Sequence, residues 1–294
     1  MNKYAVYLEW PEQCFRVNAE ALGYLETLVP AGSEIVRVKD DTEFLRELAD
    51  ATHAIVWHFD PKWFELAPRL KLLATPSAGR ELLPKTGPKG VTIHFGGFHG
   101  AAISESVLGY MLAWCRGVLR RPGKKLWERT ELGDKCYTLS GTRAVILGYG
   151  RIGKAIGEKL ALLGVETVGI TRGNIDSLAV EAARADWLIA ALPSDTGTDN
   201  LVDEKTIASL PERAVFINVG RGNSVDEAAL RRALEEGRLA GAILDVLKRE
   251  PPQPGDTLAD PQIPNLTVMS HSAAFYPGYV RDCFKELAQA GLLA

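Results

Sequence analysis

The sequence predicts an α/β protein of two domains, each built on a parallel β-sheet with helices on its faces. Two observations lead to this prediction. Short apolar runs alternate with segments of helical periodicity along the whole chain, an order that is typical of parallel sheets. A glycine cluster at Gly96, Gly97 and Gly100 then separates an earlier group of strands from a later one, and 294 residues are enough for two ordinary domains.

The earlier group is expected to form the smaller of the two sheets. Helical patterns cover residues 19–28 and the segment that follows Asp41-Thr42, where one of these two side chains is expected to cap the helix. The predicted strands are residues 4–8, 34–38, 54–57, 70–74 and 91–93. Their alternation with helices indicates parallel pairing.

The later group opens with residues 101–119, whose helical pattern is so widely apolar that the helix must be buried, in the molecule or in a dimer interface. Its predicted strands are residues 144–147, 167–170, 187–191, 215–218, 242–245 and 266–269, and its clearest helix is 226–236. Six strands joined by crossovers predict a doubly wound Rossmann sheet. A last helical segment, 279–293, is expected to return to the first domain. The predicted domains are residues 1–97 with 276–294, and residues 98–275.

Composition and charge exclude several classes of function. A net charge of −3 gives no electrostatic attraction to nucleic acid or to an acidic membrane surface. No apolar run approaches the roughly 20 residues that span a bilayer, and the first residues lack the build of a secretion signal. The four cysteines are scattered without metal-ligand spacing. We therefore expect a cytoplasmic protein with free thiols, no metal, and neither nucleic acid nor membrane as a partner.

A glycine-rich turn indicates a dinucleotide site. The apolar run 144–147 leads directly into the spacing G-x-G-x-x-G and then into an amphipathic helical pattern. In such a strand–turn–helix unit, Gly148 permits the tight turn, Gly150 lets the backbone approach a pyrophosphate, and Gly153 lets the helix pack closely on the strand. The alternative is a purely structural turn. The predicted cofactor loop consists of Gly148, Tyr149, Gly150, Arg151, Ile152 and Gly153.

The end of the next strand predicts which dinucleotide is bound. An NAD-binding sheet of this kind carries an acid about 20 residues beyond the glycines, where it accepts a hydrogen bond from the adenosine ribose. Here Thr171 and Arg172 occupy that place. A hydroxyl and a guanidinium suit a 2′-phosphate, since arginine offers a charge-assisted fork of donors. We therefore expect NADP(H) to be preferred over NAD(H), the alternative being a solvated loop arginine.

Three charged side chains follow the carboxyl ends of later strands, where the active groups of open α/β sheets gather. Arg221 lies between Gly220 and Gly222, Glu250 precedes two prolines, and His271 follows the last strand. Singly, each is as well explained by a surface charge, a solvated acid or a structural histidine. Together, at equivalent strand ends, they predict one catalytic cleft.

The chemistry of these three groups suits the reduction of a 2-oxo acid. Arg221 would bind the substrate and polarise its carbonyl oxygen. His271, when protonated, would give its proton to that oxygen as a hydride reaches the carbon. Glu250 would orient the imidazole and favour its charged form, since a neighbouring carboxylate raises the pKa of a histidine. His58 and His99, at strand-to-loop positions, are weaker candidates for contact with the substrate.

Four segments resemble the D-isomer-specific 2-hydroxyacid dehydrogenases in their order and spacing: residues 147–153, 216–222, 225–230 and 241–251. The resemblance implies that Arg221, Glu250 and His271 are the catalytic residues. It also implies that the first domain binds substrate and is completed by the C-terminal helix, and that the enzyme is a homodimer.

The same resemblance implies further contacts. In such enzymes a loop of the first domain gives backbone N–H groups to the substrate carboxylate, and the matching residues are Ala78 and Gly79. The segment around Trp57 looks like the glyoxylate/hydroxypyruvate reductase branch, which favours NADPH, and makes Trp57 a further substrate candidate. The remaining expected cofactor contacts are Leu192, Pro193, Val219 and Asp245.

We therefore expect an NADP(H)-dependent oxidoreductase that converts a small 2-oxo acid, glyoxylate or hydroxypyruvate in the first instance, to the D-2-hydroxy acid. Its predicted fold is a Rossmann domain joined to a smaller flavodoxin-like domain. A nucleotide-sensing regulator of corepressor type on the same fold is the main alternative, and the presence of all three charged groups argues against it. Formate dehydrogenase chemistry is disfavoured, because that branch has glutamine where Glu250 stands.

Overall fold

A computed structural model of the protein describes residues 1–120, 133 and 135–294. The chain divides into two compact units, Met1–His99 with Phe275–Ala294, and Gly100–Ala274. Each unit is built on one sheet, with five strands in the first and six in the second. The strands of each sheet run parallel. The predicted fold class, with two parallel-sheet α/β domains, is confirmed.

The first unit has a flavodoxin-like sheet. Its strands are β1 (Lys3–Tyr7), β2 (Glu34–Arg37), β3 (His53–Val56), β4 (Leu72–Thr75) and β5 (Thr92–Phe95). Its helices are α1 (Ala19–Glu26), α2 (Asp41–Leu48) and the C-terminal helix α8 (Tyr279–Gln289). The strands follow the order β2-β1-β3-β4-β5. β3 and β4 are buried along their whole length, and they overlap the apolar residues 54–57 and 72–74 within the predicted segments.

The second unit has a doubly wound sheet. Its strands are β6 (Arg143–Leu147), β7 (Glu166–Ile170), β8 (Trp187–Ala190), β9 (Val215–Asn218), β10 (Gly241–Leu244) and β11 (Leu266–Val268). Its helices are α3 (Gly100–Cys115), α4 (Arg151–Leu162), α5 (Leu178–Ala182), α6 (Glu204–Ser209) and α7 (Glu227–Glu235). The strand order is β11-β10-β9-β8-β6-β7. The chain thus runs outward from β6 to β7 and returns to the other side of β6 for β8. Ligands of doubly wound sheets bind at such a reversal, beyond the carboxyl ends of the strands.

The four inner strands of the second sheet, β6, β8, β9 and β10, are buried on both faces, because each presents alternate side chains to two apolar clusters. Along β6, Val145 and Leu147 belong to one cluster, and Ala144 and Ile146 belong to the other. Residues of α3 and α4 complete the second cluster, where Met111 of α3 is fully buried. The apolar helix predicted at the start of this unit therefore packs against its own sheet.

The ends of three helices differ from the sequence prediction for local reasons. The cap of α2 is Asp40 rather than Asp41 or Thr42, because its carboxylate accepts the N–H of Glu43 at 2.8 Å. α3 and α8 stop before the predicted residues 119 and 293, and each is followed by a glycine in the left-handed conformation, Gly117 at φ +73° and Gly291 at φ +68°. No helix among the described residues combines the length and the apolar character needed to cross a bilayer.

The C-terminal helix is part of the first unit. Phe284 and Leu287 of α8 are fully buried. The Glu286 carboxylate accepts the N–H of Gly97 at 2.9 Å, and the Tyr4 hydroxyl donates to the carbonyl of Leu293 at 2.7 Å. These contacts tie the last residues of the chain to the first strand and to the segment after β5.

Candidate active site

The glycine turn between β6 and α4 leaves no room for side chains at two positions. Gly148 has φ +92°, and a Cβ there would lie 2.7 Å from the carbonyl oxygen of Ala191. A Cβ on Gly153 would lie 2.3 Å from the carbonyl oxygen of Gly148. Both positions require glycine because the backbone of the turn, the helix and the neighbouring loop approach one another so closely.

Gly150 differs from these two glycines in a way that fits a bound pyrophosphate. A Cβ on Gly150 would have no other atom within 4 Å, so the space beside this residue is open. α4 begins at the next residue, and no side chain caps its N-terminus. Its first backbone N–H groups therefore lack partners within the helix, at the positive end of the helix dipole. The residues present fit the diphosphate group of a dinucleotide.

Tyr149 fastens the turn to β7. Its N–H and that of Gly148 both donate to the carbonyl of Ile170, at 3.1 and 3.0 Å. Its ring packs so closely on Gly169 that a Cβ there would lie 2.3 Å from the ring, and one on Gly157 would lie 2.7 Å from the Tyr149 hydroxyl. Tyr149 therefore holds the turn in place through both its backbone and its ring.

The segment after β7 begins with Thr171 and Arg172, and each of these side chains has a partner. The Thr171 N–H and hydroxyl both donate to Oδ1 of Asn174, at 2.6 and 2.8 Å, so this hydroxyl hydrogen is used within the turn. Arg172 is 86% exposed and forms an ion pair with Asp195 at 2.6 Å. Sequence reasoning missed Asp195, because it lies 23 positions further along the chain and only the sheet order brings the two loops together.

Arg221 projects from a loop at the carboxyl end of β9 that is held rigidly. A Cβ on Gly222 would lie 2.0 Å from the carbonyl group of Leu247, so the backbone here makes direct contact with the loop after β10. The buried Asn218 side chain donates to the Arg221 carbonyl at 3.1 Å and accepts the N–H of Gly220 at 3.0 Å. The conformation of the loop is therefore fixed on both sides of Arg221.

Glu250 and His271 form a hydrogen-bonded pair. Oε2 of Glu250 lies 2.7 Å from Nδ1 of His271, and Oε1 accepts the N–H of Leu247 at 2.9 Å. Burial alone would raise the pKa of Glu250, but the hydrogen bonds with His271 and Leu247 and the charge of Arg221 outweigh it and lower the pKa. Glu250 is therefore held as a carboxylate. The His271 side chain remains 48% exposed, so its ring is accessible.

Asp245 sets the backbone conformation of His271. His271 has φ +50°, which is unusual for a residue with a side chain. Its N–H donates to the Asp245 carbonyl at 2.8 Å, and the Asp245 carboxylate accepts the N–H groups of Ser272 at 3.0 Å and Ala273 at 3.1 Å. Asp245 is 3% exposed, and burial raises its pKa despite these hydrogen bonds. This positioning role was not foreseen from the sequence, which assigned Asp245 only to the cofactor.

The remaining predicted cofactor residues lie around the same edge of the second sheet. Leu192 and Pro193 follow β8, and Val219 follows β9; Leu192 and Val219 are buried, whereas Pro193 is exposed. Arg151 is exposed at the start of α4, and Ile152 packs against the apolar cluster beneath that helix. In the part of the chain that the structure describes, no group of three or more His, Cys, Asp or Glu residues could hold a metal ion.

The predicted substrate residues belong to the first unit. Ala78 is exposed in the loop after β4, whereas Gly79 is buried and its N–H donates to Oγ of Ser77 at 3.1 Å. Trp57 is 6% exposed, and its indole N–H donates to the carbonyl of Phe15 at 3.1 Å. Ala78 is thus the most accessible of the three, while Gly79 and Trp57 use their N–H groups within the unit.

The two other histidines predicted as possible substrate contacts differ in exposure. His58 is half exposed, with Nε2 3.9 Å from the Asp41 carboxylate. His99 is buried, with Nε2 2.7 Å from the Tyr279 hydroxyl. The Tyr279 ring joins an aromatic cluster whose other members include Phe15, Trp57, Phe98 and Tyr276. No spacing rule signals this cluster, because its members come from separate segments of the chain.

The chain is similar to proteins of known activity. Residues 108–273 match the family model described as D-isomer specific 2-hydroxyacid dehydrogenase, NAD binding domain. The chain is 29% identical to a glycerate dehydrogenase from Methylorubrum extorquens, over 70% of each protein. It is 29% identical to a glyoxylate reductase from Thermofilum pendens, over 90% of this chain and 81% of that protein. It also resembles the crystal structure of an NADPH-dependent glyoxylate/hydroxypyruvate reductase from Sinorhizobium meliloti in complex with NADP and sulfate, with a TM-score of 0.74, 25% identity, and coverage of 99% and 96% of the two chains.

Proposed function

The chain belongs to the D-isomer-specific 2-hydroxyacid dehydrogenase family, and we propose that it reduces a small 2-oxo acid with NADP(H), glyoxylate and hydroxypyruvate being the first candidates. The product is the corresponding 2-hydroxy acid, in the D configuration where that acid is chiral. Membership of the family supports a nicotinamide-linked dehydrogenase of 2-hydroxy acids. The proposal adds the cofactor preference, the substrate and the role of each residue.

The observation that carries the proposal is the 2.7 Å contact between Glu250 and Nδ1 of His271. An ionised carboxylate only accepts hydrogen bonds, so the hydrogen between them belongs to Nδ1. The second proton of the imidazolium then resides on Nε2. Because the His271 side chain is 48% exposed, Nε2 can present this proton to a ligand. This is the arrangement of a general acid whose orientation and charge are set by a carboxylate.

Each charged residue has one task in the reduction. When bound, the nicotinamide supplies the hydride to the 2-oxo carbon. Arg221 binds the substrate and stabilises negative charge as it develops on the carbonyl oxygen. His271 donates the Nε2 proton to that oxygen, and Glu250 stabilises the imidazolium beforehand. General acid catalysis of this kind contributes about 10²–10⁴-fold to the rate. In the oxidative direction, neutral His271 accepts the proton from the hydroxyl group.

Several features support NADP(H) as the cofactor. The glycine turn at residues 148–153 would hold the diphosphate group, and Leu192, Pro193, Val219 and Asp245 would contact the rest of the dinucleotide. Thr171 and Arg172 stand where NAD-binding sheets carry an acid, and a guanidinium suits a 2′-phosphate. The relative from Sinorhizobium meliloti is described as NADPH-dependent.

The names of the relatives support a small substrate, since they include a glycerate dehydrogenase and a glyoxylate reductase. We propose that the backbone N–H of Ala78 binds the substrate carboxylate, joined by that of Gly79 when it exchanges Oγ of Ser77 for the ligand, and that Trp57 contributes to the substrate site. The proposed substrate domain is residues 1–97 with 276–294, and the proposed dinucleotide domain is residues 98–275. The proposed assembly is a cytoplasmic homodimer.

The direct test follows the oxidation of NADPH and NADH with a panel of 2-oxo acids, in the wild type and in His271→Ala. We expect turnover of glyoxylate or hydroxypyruvate with NADPH. In the variant, kcat should fall by about 10²-fold or more, whereas the dissociation constant for NADPH should change by less than about threefold. Failure to turn over any 2-oxo acid with either nucleotide would overturn the proposed reaction. An unchanged kcat in His271→Ala would remove the proposed acid.

A further inference from the structure

We infer that Asp195 determines cofactor specificity, by competing with the 2′-phosphate of NADPH for Arg172 and so narrowing the preference for NADPH over NADH. The inference rests on the proposed function, because it concerns the adenosine end of the proposed cofactor. It is carried by the position of one ion pair in the second unit.

The ion pair spans the glycine turn. At the carboxyl end of the sheet, Leu147 of β6 is in register with Ile170 of β7 on one side and with Ala190 of β8 on the other. Neighbouring strands lie about 4.8 Å apart, so the ends of β7 and β8 are separated by roughly 10 Å. Arg172 and Asp195 extend from these two ends and meet at 2.6 Å. They therefore meet across the end of β6, where the dinucleotide loop begins.

The two partners are held unequally. Asp195 is anchored in its own turn, where its Oδ1 accepts the N–H of Gly197 at 2.9 Å and its N–H donates to Oγ1 of Thr198 at 3.1 Å. Arg172 is 86% exposed, against 32% for the Asp195 side chain. The carboxylate is thus the better fixed partner, and the guanidinium is the one that is free to turn toward a ligand.

The charges determine which cofactor is affected. A 2′-phosphate carries close to two negative charges and must draw Arg172 away from Asp195, or share it within a few ångströms of a like charge. The 2′-hydroxyl of NADH is neutral and makes no such demand. Asp195 therefore weakens the binding of NADPH while leaving that of NADH nearly unchanged.

The test is a double-mutant cycle with Asp195→Asn, Arg172→Gln and the double variant. Asp199→Asn is the matched control, since it removes the same charge from the same loop but its partner is Asn223 rather than Arg172. Dissociation constants are measured by calorimetry for NADPH and NADH, and for the fragments adenosine 2′,5′-bisphosphate and adenosine 5′-monophosphate. These values do not depend on turnover.

We expect Asp195→Asn to lower the dissociation constants of NADPH and the bisphosphate by about three- to tenfold. Those of NADH and the monophosphate should change by less than about twofold. Asp199→Asn should leave the dissociation constants of all four ligands within about twofold of the wild-type values. In the Arg172→Gln background the gain from Asp195→Asn should shrink to less than about twofold, because only the screened repulsion between Asp195 and the 2′-phosphate remains. The inference is overturned if Asp195→Asn weakens the binding of NADPH or if it strengthens the binding of NADPH and NADH equally. It is also overturned if the full gain in NADPH affinity persists in the Arg172→Gln background.

These outcomes are separable from those of the proposed function. If the wild type reduces no 2-oxo acid, the proposed reaction fails, while the binding cycle still reports on Asp195. If turnover is observed but Asp195→Asn leaves the dissociation constants unchanged, only the role of Asp195 is lost.

Discussion

Asp245 holds His271 in a left-handed backbone conformation, through its carbonyl at 2.8 Å and through a buried carboxylate that accepts the next two backbone N–H groups. The proposed acid is thus oriented from two sides: Glu250 contacts its ring and Asp245 fixes its backbone. Because Asp245 directly follows β10, the end of this strand positions the backbone that carries the imidazole.

The first prediction concerns this backbone support. Asp245→Ala leaves the N–H groups of Ser272 and Ala273 without their acceptor. The hydrogen bond of Ala273 is buried and that of Ser272 is only partly buried, and one unsatisfied buried donor costs about 1–3 kcal/mol. We expect a loss of unfolding free energy in this range and a fall in kcat of about tenfold or more. Urea denaturation and steady-state kinetics measure the two effects. Asp245→Asn retains one acceptor oxygen and should keep more of the stability, so equal losses in the two variants would contradict this account.

The second prediction concerns the pH dependence of reduction. Hydrogen bonds with His271 and Leu247 and the charge of Arg221 lower the pKa of Glu250, against the effect of burial, so its carboxylate is ionised throughout the neutral range. Glu250→Gln removes the charge that stabilises the imidazolium. We expect kcat for reduction to fall by about tenfold or more, and the pH above which the rate declines to move lower. A pH–rate profile of both proteins measures this shift.

Glu227→Gln is a suitable control for that experiment. Glu227 accepts the N–H of Lys248 at 2.8 Å, much as Glu250 accepts that of Leu247. Unlike Glu250, it is not the carboxylate that is hydrogen-bonded to the ring of His271. Its substitution should not change the pH above which the rate declines. A profile that shifts equally in both variants would mean that loop structure, rather than the Glu250 charge, is responsible.

The third prediction concerns stability at acidic pH. His53 is 2% exposed, and its ring stacks on that of Tyr4 with the centroids 4.3 Å apart. Burial, with a smaller effect from the charge of Lys71, lowers its pKa from 6.5 to about 4. Between these values the unfolded chain binds a proton that the folded chain does not. The contribution to stability is therefore complete above pH 6.5 and declines as the pH falls toward 4, by up to about 3 kcal/mol.

Urea denaturation across this pH range measures the effect. His53→Phe keeps an aromatic ring at the stack and removes the titration, so its stability should depend less steeply on pH than that of the wild type. His58→Phe, at an exposed histidine, should retain the wild-type slope. Parallel curves for the wild type and His53→Phe would assign the acid sensitivity to other groups.

The fourth prediction compares two glycines of one turn. A Cβ on Gly153 would lie 2.3 Å from the Gly148 carbonyl oxygen, so Gly153→Ala must displace α4 and should lower the unfolding free energy by about 1–3 kcal/mol. Gly150 has φ −86° and open space around it, so Gly150→Ala should fold normally. Its methyl group would occupy the space proposed for the diphosphate, and we expect NADPH binding to weaken by about tenfold or more. Calorimetry and denaturation separate the two effects, and normal NADPH affinity in Gly150→Ala would argue against this location.

The sequence predicts the strands well where burial on both faces leaves an unbroken apolar run. β9 was predicted at its observed bounds, and other strands shifted by one or two residues at their ends. Helix ends depend on local backbone conformation, so Asp40 and Gly117 were missed. The contact of Glu250 with His271 was anticipated because both follow strand ends, as sheet topology requires. The ion pair of Arg172 with Asp195 was not, since it depends on which strand lies between two loops.

The first unit is assembled from two pieces of chain, Met1–His99 and Phe275–Ala294, which are separated by the whole of the second unit. On the ribosome, the strands of the first sheet therefore emerge early, but α8, whose Phe284 and Leu287 are fully buried, is made only after the second unit. The second unit is contiguous and has all its residues before that helix is made. In this protein the part that is translated first is completed last.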